Sequence, residues 1–147
     1  MNKRLVVTGI ALFSAIAVAS MDVIKERKHG FESFKEELGA IKKIVQSGDA
    51  SMQADLSRHV ANLQTVADKQ WQRFDELFPA GSHSGDTDAL PSIWEKPDDF
   101  KAAITKQSEA LALMKTAAQS NNPGEWKVAF GKVGNSCKGC HDSFKKD

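Results

Sequence analysis

Apolar residues recur at helical spacing in four separate stretches of the chain. From Asp22 to Ser47 the positions Ile24, Phe31, Phe34, Leu38, Ile41 and Val45 share one face of a helix that should stop at Gly48. A second stripe, Met52, Leu56, Val60, Leu63, Ala67, Trp71, Phe74 and Phe78, predicts a helix from about Ala50 to Phe78, ended by Pro79 and Gly81. The third runs from Asp98 to about Ser120 through Phe100, Ile104, Gln107, Leu111, Met114 and Ala118. In the fourth, Trp126, Phe130, Val133, Cys137, Cys140 and Phe144 follow at steps of four and three. Asn122-Pro123-Gly124-Glu125 is its start: an N-cap side chain, proline at the first helical position and an acid at the third. Pro79 to Pro97 is the one long connection, polar and turn-rich, with Ile93 and Trp94 available to pin it back. Four one-sided helices and no strand pattern predict an all-α four-helix bundle.

The chain has 147 residues, enough for one domain and a processed segment. Met1-Asn2-Lys3-Arg4 is a basic start, Leu5 to Val18 is almost wholly apolar, and Ala17-Val18-Ala19-Ser20 offers small residues for cleavage. Residues 1–20 therefore have the pattern of a signal peptide, and 21–147 form the bundle domain. The apolar run is shorter than the roughly 20 residues a spanning helix needs, which disfavours a retained anchor. Export places the mature chain in the periplasm. The formal charge of +1 becomes −1 once Lys3 and Arg4 leave with that segment. Neither nucleic acid nor an anionic membrane surface is an electrostatic match.

Chemistry enters with Cys137-Lys138-Gly139-Cys140-His141, the C-x-x-C-H attachment pattern of a covalent haem. On a helix, residues three and four apart share a face. Cys137 and Cys140 can thus add to the two vinyl groups of one porphyrin, while His141 offers an imidazole nitrogen to the iron. A zinc site would need more ligands than two cysteines supply, and a redox pair should open a helix after a strand. A disulfide is the remaining alternative. Arg27 fills the gap in the first stripe, where an unpaired buried cation is costly. Its expected partner is a haem propionate or a buried acid, the competing expectation being that it reaches into water. His59 and Met114 are possible second iron ligands, although a flanking histidine and a helically spaced methionine usually have other roles. His83, in the turn-rich loop, is expected to face solvent.

Together these features resemble cytochrome c′, the class II c-type cytochromes. The resemblance spans the mature chain and rests on C-x-x-C-H close to the C-terminus, on Val23-Ile24-Lys25-Glu26-Arg27, on Pro91-Ser92-Ile93-Trp94, and on Ala129 to Ser136 leading into the haem motif. It implies an antiparallel up-and-down four-helix bundle with one covalently bound haem c per chain. It also implies a periplasmic homodimer whose iron is five-coordinate, with His141 proximal, Arg27 at a propionate and no distal protein ligand. In low-spin relatives a methionine stands four residues after the first-helix arginine; here that position is Phe31, which cannot bind iron. The family often has arginine four residues after the haem histidine, and Lys145 stands there instead. Electron transfer with an unidentified redox partner, or binding of nitric oxide and carbon monoxide, is the implied function. A plain carrier would favour two strong axial ligands, His59 or Met114 supplying the second, whereas gas binding needs an open iron. An enzyme such as a peroxidase would need polar acid/base groups over the iron, and Phe31 argues against one.

Overall fold

The computed structural model describes residues 12–146. Most of the expected signal segment, residues 1–11, lies outside them. The described helices are α1 (Leu12–Ser47), α2 (Gln53–Gln72), α3 (Phe74–Leu77), α4 (Ser92–Glu95), α5 (Pro97–Ala118) and α6 (Pro123–Phe144). The four long ones pack in the cyclic order α1, α2, α5, α6, each against its sequence neighbour and α6 back against α1. Short links at 48–52 and 119–122 make α1/α2 and α5/α6 antiparallel pairs, so the expected four-helix bundle is what forms.

Local chemistry sets the ends. α1 stops where Gly48 takes a φ of 64°, the left-handed conformation that glycine adopts without a Cβ penalty. Asp49 then accepts a hydrogen bond from Ser51 N at 2.9 Å and starts a 3₁₀ turn at Ala50–Met52. At the head of α6, Asn122 Oδ1 accepts from Gly124 N at 3.0 Å, and Pro123 follows as anticipated.

The second helix departs from the reading of a single run to Phe78. It breaks at Arg73, whose backbone (φ −101°, ψ 26°) leaves helical geometry before the short α3. No proline or glycine marks the break. Tertiary contacts hold it: Arg73 pairs with Glu26 of α1 at 2.5 Å and with Glu76 at 2.8 Å. The turn swings Phe74, Leu77 and Phe78 toward Phe100 and Ile93.

Two apolar clusters result. One fills the bundle between Ile41, Leu56, Leu63, Met114, Trp126 and Val133; the other joins Leu77, Phe78, Ile93, Phe100 and Phe144. Trp71 packs against both, while Cys137 borders the first and Cys140 the second. The long connection is tied to the end of α6 by backbone hydrogen bonds from Leu90 N to Phe144 O (3.0 Å) and from Lys146 N to Asp88 O (2.8 Å). Trp94 anchors it from the other side by donating to Phe78 O at 2.9 Å.

Candidate functional site

A cavity of about 580 Å³, within the range of small-molecule and cofactor sites, lies where the two clusters meet. The last turns of α6 put Cys137, Cys140 and His141 on its wall, as residues spaced three and four apart on one helix must lie. α1 supplies Arg27, Phe31, Phe34 and Leu38, with Trp71, Phe78, Phe100 and Gln107 completing the inner surface. Every residue assigned to the site from sequence therefore lines one cavity.

No disulfide joins the two cysteines, and both are half-buried. Burial pushes the Cys137 thiol up, while hydrogen bonds with Ser136 and Gln107 pull the other way. Burial, reinforced by Cys137, pushes Cys140 up to about 11. A redox C-x-x-C works through a thiolate of depressed pKa. These thiols are shifted in the opposite direction.

Arg27 is only 2% exposed, so the expectation that it reaches into water is overturned. Nor does it meet a buried acid. Nη1 donates to Leu77 O (3.3 Å) and Ser82 Oγ (3.1 Å), and Nη2 to Ser82 O (2.8 Å) and Thr87 Oγ1 (2.9 Å). Its guanidinium also stands 4.8 Å from the centre of the Phe78 ring. All these partners are neutral, so a full positive charge is held at the cavity without a protein counter-ion among them. Burial lowers the Arg27 pKa, in keeping with that uncompensated setting. Ser82 and Thr87 were not legible as its partners, because an irregular loop carries no periodicity.

Phe31 stays 40% exposed while lining the cavity, its ring 5.9 Å from Phe34 and 6.0 Å from Trp71. Lys145 lines the cavity as well and pairs with Asp88 at 3.5 Å. The two alternative iron ligands are elsewhere. His59 Nδ1 binds Glu37 Oε2 at 2.7 Å, and Met114 is fully enclosed in the first cluster. His83 corrects the expectation of solvent exposure: its ring packs 5.2 Å from Trp94, and its Nδ1 is buried without a partner.

Residues 22–145 match the family model described as Cytochrome C'. The chain belongs to the cytochrome c′ family. Among its relatives, cytochrome c′ from Rhodopseudomonas palustris is 35% identical, the match covering 92% of this chain and 90% of that one. Cytochrome c-554 from Cereibacter sphaeroides is 33% identical, covering 82% and 91% respectively. The solved structure of cytochrome c′ from Shewanella frigidimarina superposes with a TM-score of 0.77 at 31% identity, covering 87% of this chain and 97% of that one. A nitric oxide complex of a variant cytochrome c′ from Alcaligenes xylosoxidans gives 0.75 at 27% identity, with the same two coverages. As a family member the protein carries one covalent haem c per chain. The donor set fits that group: two thiols and an imidazole converge on a largely apolar cavity, with Arg27, whose hydrogen-bond partners are all neutral, on its wall.

Proposed function

We propose that the mature protein is a periplasmic cytochrome c′ that binds nitric oxide and carbon monoxide at an iron with an open sixth position and also passes single electrons. Cys137 and Cys140 hold the haem by thioethers, and His141 is the one protein ligand to its iron. Arg27 faces a propionate, which supplies the anion that its neutral partners do not. Haem contributes the redox-active iron and its ligand-binding position.

The observation that carries this reading is the composition of the cavity wall. Among the described residues that line it, His141 is the only histidine and there is no methionine. The apolar residues that α1 and α2 offer, Phe31, Phe34, Leu38 and Trp71, have no lone pair suited to iron, and the ionisable ones beside them, Lys28, Glu32 and Lys35, are solvent-exposed. His59 and Met114, engaged with Glu37 and the inner core, would have to leave stable positions to bind. We assign no catalytic residue: the carboxylates that line the cavity, Glu32 and Asp88, have largely exposed side chains rather than the enclosed position that peroxidase acid/base chemistry would favour.

Export follows from the pattern of residues 1–20, and no helix among the described residues is long and apolar enough to cross a membrane. A homodimer and an unidentified redox partner complete the proposal, on the strength of the family likeness; sedimentation at micromolar concentration tests the dimer. The optical and electron paramagnetic resonance spectra of the purified protein test the iron. High-spin signals at neutral pH with ready formation of a carbonyl complex are expected. A low-spin spectrum abolished by changing His59 or Met114 would overturn the reading in favour of a six-coordinate electron carrier.

A further inference from the structure

The roles assigned so far leave one polar residue of the inner wall unused. α2 and α5 contribute Trp71, Phe100 and Gln107 to the cavity. The charged lining residues come instead from α1, the loop and the end of α6: Arg27, Lys28, Glu32, Lys35, Asp88 and Lys145. Gln107 thus presents an uncharged amide on an otherwise aromatic wall.

Its orientation is fixed. Trp71 Nε1 lies 2.7 Å from Gln107 Oε1, and an indole N–H can only donate. The oxygen end must therefore face Trp71, and the NH₂ end is turned away from it. An amide nitrogen carries two N–H groups. No oxygen or nitrogen acceptor for the Gln107 amide is found among the described residues. Trp71 is itself held in place by Phe31, Phe34, Phe78 and Phe100, whose ring centres lie 6.0 to 6.3 Å away. The donor is consequently anchored before any ligand arrives, which is the condition under which a hydrogen bond contributes most to binding.

We propose that Gln107 discriminates between ligands in this cavity: its fixed amide donates a hydrogen bond to the outer atom of a bound diatomic and favours nitric oxide over carbon monoxide. Nitric oxide takes up more electron density than carbon monoxide on binding to reduced iron, so a donor at its outer atom stabilises it more. The inference rests on the reading that the haem keeps an open position beside Phe31 and Trp71.

The test uses the reduced holoprotein with carbon monoxide and nitric oxide as probes. Gln107→Met keeps the length of the side chain and removes both N–H groups. It is expected to move the infrared C–O stretch to higher frequency and to speed nitric oxide release about fivefold, the factor one ordinary net hydrogen bond is worth. Carbon monoxide release should change less. Trp71→Phe removes the anchor while leaving the amide, and should shift the same band in the same direction and broaden it, a signature that simple loss of packing does not predict. An unchanged stretch and unchanged release in Gln107→Met overturn the role of Gln107 and leave the open-iron reading standing. Should that variant fold poorly, an unchanged band in Trp71→Phe has the same force. Failure of the unaltered protein to bind either gas overturns the open-iron reading instead.

Discussion

Phe31 and Arg27 stand one turn apart on α1 and act on the cavity in opposite ways. Phe31 supplies bulk without a lone pair. Its 40% exposure means that it can swing toward solvent without disrupting the enclosed core. Phe31→Ala should therefore accelerate carbon monoxide binding, measured by flash photolysis, and a rate equal to that of the unaltered protein would show that the ring is not the barrier. Arg27 supplies charge. Four hydrogen bonds from its guanidinium go to neutral oxygens of α3 and the loop, so its field is not cancelled by them. Arg27→Leu removes a cation from beside the haem and should lower the reduction potential, because the reduced iron loses a stabilising positive neighbour. Potentiometry at low salt, where such effects are largest, checks this. The same change strands Ser82 and Thr87 in buried positions without their donor, so thermal stability should fall by about 1–3 kcal/mol. The two readouts separate the electrical from the structural role.

At the scale of elements, the helices begin and end where short side chains settle their free backbone groups. Asn122 at the head of α6 does this by accepting from Gly124 N, and its amide also donates to the Glu125 side chain at Oε1, 3.0 Å away. Asn122→Ala should cost about 1 kcal/mol of stability, read from chemical denaturation, with the spectrum of the haem unchanged because the motif lies at the other end of the helix. The break at Arg73 has a different origin. Nothing in the local sequence forbids a helix from 53 to 77, and a continuous one would carry Phe74 and Phe78 around with the period of α2. The ion pairs to Glu26 and Glu76, together with the aromatic cluster around Phe100, stabilise the bent form. Periodicity reports one helix's own preference, and here contacts with other helices prevail.

For the whole molecule, the cavity between the two apolar clusters makes the haem part of the core. Changing both Cys137 and Cys140 to Ala should give a protein that releases haem into acidified organic solvent; retention of the haem would refute thioether attachment. The sequence alone was sufficient for the four stripes, for the capped start of α6 and for the shared face of Cys137, Cys140 and His141, because each of these depends only on residues within a few turns of one helix. The place of Phe31 four residues after Arg27 was legible for the same reason. Tertiary structure alone decided where Arg27 finds its partners, that Trp71 fixes the amide of Gln107, that His83 packs against Trp94, and that the second helix bends at Arg73. Those arrangements join residues far apart in the chain, through an irregular loop and across helix pairs, where periodicity carries no information and only the packing of the folded bundle selects among the possible contacts.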